Sequence, residues 1–72
     1  MTNRELRQAF LDRSAVVHKN YDHRETEYRR VSAIIYRYVN GKFTIQAECE
    51  DVGCEHTVSI VNPEQLYLKE KR

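Results

Sequence analysis

Asn40-Gly41 restricts the fold more than any other feature of the chain. It separates two runs rich in Val, Ile, Tyr, Phe and Thr, and both residues tolerate the positive φ of a type I′ turn. A two-residue hairpin loop leaves no freedom in register. Val39 must face Lys42, Tyr38 face Phe43, Tyr36 face Ile45 and Ile34 face Ala47. The strands flanking the turn are predicted over about 28–39 and 42–50. The return strand alternates cleanly, with Phe43, Ile45, Ala47 and Cys49 on one side and Thr44, Gln46, Glu48 and Glu50 on the other. That pattern describes a half-buried antiparallel strand. Strict alternation sends Tyr36 and Tyr38 to the core together with Phe43. It leaves Val31, Ala33 and Ile35 on the second face beside Gln46 and Glu48, where the helix, a bend in the strand or a partner chain must cover them.

The remaining elements are shorter. Thr2-Asn3-Arg4-Glu5 has the form of a capping box, and Leu6, Ala9 and Phe10 follow at helical spacing, which predicts a helix over about 3–13. Ala15-Val16-Val17-His18 is short and β-branched, a strand over about 15–18, and the polar stretch from Lys19 to Glu27 is a loop. Glu50 to Gly53 forms the next turn. The register that pairs apolar residues sets Cys49 against Cys54, Ile45 against Val58 and Phe43 against Ile60, with a strand over about 54–61; a slip by one residue would put Val58 and Ile60 on the polar face. Asn62-Pro63-Glu64-Gln65 suits a 3₁₀ turn started by proline, and Leu66-Tyr67-Leu68 a final strand over 66–68.

One helix and five short strands, the second long and bent, predict a mainly β fold: a small SH3-like, partly open antiparallel barrel with an N-terminal α-helix, in which closing the sheet protects its edges. An α+β arrangement, a helix laid on an antiparallel sheet, is the alternative. The 72 residues make one domain, 1–72. A chain this short buries only about 60% of its unfolded surface, which excludes a large enzyme core. No run approaches the roughly 18 apolar residues of a membrane span. The N-terminal residues form no apolar signal segment, and a cytoplasmic location with reduced thiols is the expectation.

The stretch Tyr28 to Arg37 (YRRVSAIIYR), followed by Thr44-Ile45-Gln46-Ala47-Glu48 and by Val58 to Glu64 (VSIVNPE), resembles small uncharacterised accessory proteins of phages and mobile elements of Gram-positive bacteria. The resemblance spans about residues 15–68. It implies an accessory protein that binds a host or phage factor, with inhibition of host defence among its roles, and it carries over no catalytic or ligand residues.

Three groups of residues bear on chemistry. Cys49, Cys54 and His56 gather soft ligands at the second hairpin, with the facing Cβ atoms about 4.5–5.5 Å apart. A structural zinc site needs four ligands, and the sequence places neither His18 nor His23, the only sources of a fourth, near the tip, so half-buried thiols without metal or other cofactor are expected. The Cys54–His56 pair has no orienting third group and no oxyanion element, and a non-enzymatic protein is expected. Arg29, Arg30, Arg37 and Lys42, interleaved with tyrosines, are the candidates for holding a nucleic-acid strand or a nucleotide. A net charge of only +1 and tyrosines turned inward weaken that alternative.

Charge is segregated along the chain. Residues 1–42 carry nine basic and five acidic side chains, residues 43–72 three and six. Glu48, Glu50, Asp51 and Glu55 crowd the second turn, and opposed patches steer association with a complementary partner, although such runs also serve solubility alone. The sequence is therefore read as a binding module that blocks or modulates a host or phage protein. Its expected contacts are Glu48, Glu50, Asp51 and Glu55 with Val31 and Ile35. A homodimer through the second face is a further expectation.

Overall fold

The computed structural model describes residues 1–53 and 56–69. Helix α1 (Asn3–Asp12) is followed by strands β1 (Val16–Lys19), β2 (Glu25–Val39), β3 (Lys42–Asp51) and β4 (Val58–Val61), a 3₁₀ turn (Pro63–Gln65) and β5 (Leu66–Leu68). The strands form one antiparallel sheet in the order β4-β3-β2-β1-β5. The long β2 is shared between two halves, and a 3₁₀ turn leads into β5, which returns to pair with β1. This is the small, SH3-like, partly open barrel read from the sequence, with the N-terminal helix added. No helix among the described residues is long and apolar enough to cross a membrane.

The local signals act as expected. Thr2 caps α1 reciprocally: the Glu5 amide donates to Thr2 Oγ1 at 3.2 Å, and the Thr2 amide donates to Glu5 Oε1 at 2.9 Å. Arg13 ends the helix in the left-handed region, its amide reaching back to the Ala9 and Phe10 carbonyls. Asn62 Oδ1 accepts from the Glu64 amide at 3.0 Å and starts the 3₁₀ turn, with Pro63 at its first turn. The Met1 ammonium donates to the carbonyls of Pro63 at 2.8 Å and Leu66 at 3.1 Å, tying the approach to α1 against this turn.

One core cluster unites Leu6 and Ala9 of α1 with Val16, Tyr28, Val31, Ala47, Cys49 and Leu66. The helix thus packs on the concave side of the sheet. Each fully buried Val or Leu here contributes about 1.5–3 kcal/mol relative to exposure.

Four expectations fail, and each has a physical cause. The register of β2 on β3 runs as predicted from Val39↔Lys42 to Ala33↔Glu48, but two irregularities follow, between Ala33 and Val31 and between Val31 and Tyr28. Each inserts one extra residue in β2. The core-facing positions of β2 become 28, 31, 34, 36 and 38, so Val31 is buried in place of Arg30. Val31 is only 1% exposed and is no contact residue on the second face. Burying valine rather than a guanidinium drives the irregularity.

The second failure is the core assignment of the hairpin end. Tyr36, Tyr38 and Phe43 are 61%, 75% and 60% exposed. They do lie on the concave side, but nothing there covers them. β1 pairs only with residues 25–28 of β2, and β4 only with residues 47–50 of β3.

The third is the β3–β4 register. Cys49 faces Ser59, Ala47 faces Val61, Glu48 faces Ile60 and Glu50 faces Val58. Val58 and Ile60 therefore point to the outer face, half exposed, and β4 begins at Val58 rather than Cys54, which lies outside the described residues. The fourth concerns the boundaries of β2 and β3. β2 begins at Glu25, and β3 continues through Glu50 and Asp51. These two carboxylates belong to a strand, not to a projecting four-residue loop.

Candidate interaction surface

The aromatic end of the β2–β3 hairpin is the most conspicuous surface. Its turn is built by Asn40 and Gly41, both at positive φ (49° and 78°), as a type I′ loop requires. The fixed register then stacks three rings on the concave side. Tyr36 and Phe43 have ring centroids 5.7 Å apart at 37°; Tyr38 meets Phe43 at 5.7 Å, nearly edge-on at 77°. The rings hold each other in place while most of their surface stays in water.

Two grooves flank this ridge at its base. One, of about 500 Å³, runs between α1 and β2; Arg7, Phe10 and Leu11 of the helix form one wall, and Ala33, Ile34 and Tyr36 the other. A second hollow of about 330 Å³, bordered by Arg13 and Arg30, adjoins it at Phe10, Leu11 and Ser32. The other groove, of about 640 Å³, lies between Phe43 and the Pro63 turn, with Met1 and Thr2 on its far side. Leu11 is 61% exposed, so the helix contributes an apolar side chain to the first groove beyond those it buries.

The acidic residues singled out in the sequence are tied down. Ser32 Oγ donates to Glu48 Oε2 at 2.9 Å, and Ser59 Oγ donates to Asp51 Oδ1 at 3.0 Å. The Arg30 guanidinium donates to both carboxylate oxygens of Glu50. That hydrogen bond, with the nearby charges of Arg30 and Arg29, holds the Glu50 carboxyl below the usual carboxylate range against the opposing effect of burial. Glu55 lies outside the described residues. The structure thus gathers Glu48, Glu50 and Asp51 on and around the β3–β4 ladder, each with a neighbour of its own.

The basic candidates separate. Arg29 is exposed, Arg30 is engaged by Glu50, and Arg37 and Lys42 are exposed on the hairpin. Arg37 pairs with Thr44 and so faces away from Tyr36 and Tyr38. Ile35 is half-buried on the outer face, the side that also presents Val58 and Ile60, each 44% exposed.

Cys49 is sealed in the core, not at the rim. Burial pushes its thiol up to about 12, with the charges of Asp51 and Glu48 adding to the effect. It is held protonated and is neither a ready nucleophile nor a ready metal ligand. Among the described residues no three His, Cys, Asp or Glu side chains converge as a metal site would require. The proposed pairing of Cys54 with Cys49 or His56 involves a residue outside the described ones.

Sequence reading missed Tyr36, Tyr38, Phe43 and Leu11 as surface residues. The available signal was length. A hairpin of this reach extends past neighbours of four residues, and strands rise only about 3.3 Å per residue, so its end has no adjacent strand to bury it. Compared with protein-family models, curated proteins and solved structures, the chain matches none.

Proposed function

We propose that this protein is a non-enzymatic binding module that engages another protein through the aromatic end of the β2–β3 hairpin. The observation that carries the reading is the exposure of Tyr36, Tyr38 and Phe43 as one mutually packed cluster beyond the cover of the barrel. Monomeric domains rarely leave such rings in water, and tyrosine and phenylalanine are enriched where proteins meet. Ring–ring packing holds them in place before a partner arrives, which lowers the entropy lost on binding. With Phe10 and Leu11 beside the same groove, the apolar surface is continuous from helix to hairpin.

The acidic stretch 48–51 takes a lesser role in this reading, because its carboxylates already have neighbours. The resemblance to phage and mobile-element accessory proteins makes occlusion of a host protein the proposed mode of action, with defence inhibition as its setting. Nucleic-acid binding is the second reading, favoured by the same exposed rings, on which bases stack. It is weakened by the separation of Arg37 from the ring face and by the engagement of Arg30.

Photo-crosslinking tests the proposal. With p-benzoylphenylalanine in place of Tyr38, irradiation in host extract should yield a discrete protein adduct. The same group in place of Tyr67, on β5, should not yield it. Equal adducts from both positions, or none from Tyr38, would refute the assignment. A nuclease-sensitive adduct would support the second reading instead.

A further inference from the structure

We infer that the groove between α1 and β2 receives an acidic, apolar-anchored segment of the partner protein. This deepens the reading just given and rests on it, since Tyr36 belongs to both the ring cluster and the groove. Two adjacent hollows share Phe10, Leu11 and Ser32 as a common border and are taken together as one channel. Their combined border includes three arginines, Arg7, Arg13 and Arg30, and no acidic residue, and the Arg30 side chain turns outward to Glu50. Arg30 is neutralised by Glu50. Among the described residues neither Arg7 nor Arg13 takes part in an ion pair, although α1 itself carries Glu5 and Asp12. Asp12 accepts from Gln8 Nε2 at 2.9 Å, and Glu5 accepts from the Thr2 amide in the cap. The helix thus presents Arg7 and Arg13 at the channel with no ion-pair partner among the described residues.

The channel between these cations is apolar. Leu11 and Phe10 on one side and Ile34 and Tyr36 on the other give it aliphatic and aromatic walls. A strand of nucleic acid would match the charge but not the aliphatic lining, because bases require flat faces and closely spaced cations along the backbone. A protein segment in which Asp or Glu alternates with large apolar residues matches both. Its carboxylates reach Arg7 and Arg13 at the rim, where charge complementarity governs encounter and register, and its apolar side chains fill the hollow. Arginine suits this task because its planar fork engages a carboxylate bidentately.

The test is selection of a displayed random-peptide library on the full chain, followed by fluorescence anisotropy with the enriched peptides. The enriched sequences should carry Asp or Glu within a few residues of Leu, Ile, Phe or Trp. Arg7→Glu with Arg13→Glu should weaken their binding at least about tenfold, with the loss shrinking at high salt. Leu11→Ser should weaken binding with little change in salt dependence. All three positions are exposed, and coincident circular-dichroism melts confirm the variants fold. Enrichment of basic or uncharged peptides, no enrichment, or equal binding by the charge-reversed variant would overturn the inference. So would binding of labelled oligo-dT that is lost in the same variant, or self-association by light scattering that the variant dissolves. In those cases the Tyr38 crosslink still reports on the ring surface, so failure of this inference is separable from failure of the binding-module reading.

Discussion

The two ends of β2 obey the same alternation and meet opposite fates. At its N-terminal end β2 lies between β1 and β3, with α1 and β5 completing a closed half in which Val16, Val31, Ala47, Cys49 and Leu66 are at most 1% exposed. At its C-terminal end the same strand pairs with β3 alone, and Tyr36 and Tyr38 remain in water. Residue type does not explain the contrast, because Tyr28 is 7% exposed and Tyr38 is 75% exposed. What differs is the presence of a covering element. A side chain on the concave side is buried only where α1 or a neighbouring strand lies over it. The closed half therefore carries the stability, and the open end leaves its rings in water.

A charge placed in the closed half should break this contrast most severely. Val31→Asp sets a carboxylate among Leu6, Tyr28 and Cys49 with no cation to meet it, and a domain with roughly 5 kcal/mol of stability does not survive such a change. The variant should show no cooperative unfolding by circular dichroism. A folded Val31→Asp would mean that the irregularity in β2 relaxes and returns residue 31 to the outer face.

Cys49→Ser is the gentler probe of the same region. It leaves a buried hydroxyl among apolar neighbours and should cost about 1–3 kcal/mol in urea unfolding. The thiol also predicts a pH limit. Its folded pKa, about 12, is raised above its ordinary 9.0, so the native state keeps a proton that the unfolded chain releases. The contribution is fully present below pH 9.0 and is lost as pH rises toward 12. Cys49→Ala should flatten this alkaline decline, and iodoacetamide should modify Cys49 only after unfolding.

The Arg30–Glu50 pair marks the boundary between the two regions, because the irregularity that buries Val31 turns Arg30 outward. Glu50 has a depressed pKa, so its contribution is present above the ordinary carboxylate range and fades as pH falls through the folded value. Glu50→Gln should remove that acid-limb dependence while leaving the neutral-pH fold intact. An unchanged acid limb would show that the pair does not hold the bend.

Tyr38→Ala should have the smallest effect on stability, no more than about 1 kcal/mol, since it removes an exposed ring and one edge-on contact. Partner crosslinking from a probe in place of Phe43 should nonetheless be lost in this variant. A large stability loss would mean the ring end is structural, and the contrast between the halves would collapse.

Much of the architecture was legible in the chain. Asn40-Gly41 set the first hairpin's register through Glu48, the Thr2–Glu5 box opened the helix, and Pro63 opened the 3₁₀ turn. The β3–β4 register was not legible. The apolar-matching argument assumed that Val58 and Ile60 seek the core, but a four-residue edge strand buries too little for two side chains to dictate its pairing. Ser59 and Val61 face inward instead, and Ser59 meets Asp51. The triplet spacing of Tyr28, Val31 and Ile34 did carry the signal of an irregular strand, hidden by the assumption of strict alternation.

The sequence by itself determined what depends on neighbours a few residues apart: the cap, the type I′ turn and the pairing that the turn imposes. Those outcomes follow from backbone sterics and short-range hydrogen bonds, which composition and spacing encode directly. Only the tertiary structure decided which concave residues are covered, because cover depends on where α1, β1 and β4 stop relative to a hairpin longer than any of them. Burial is a property of that three-dimensional overlap, and so Tyr28 became core while Tyr36, Tyr38 and Phe43 became surface.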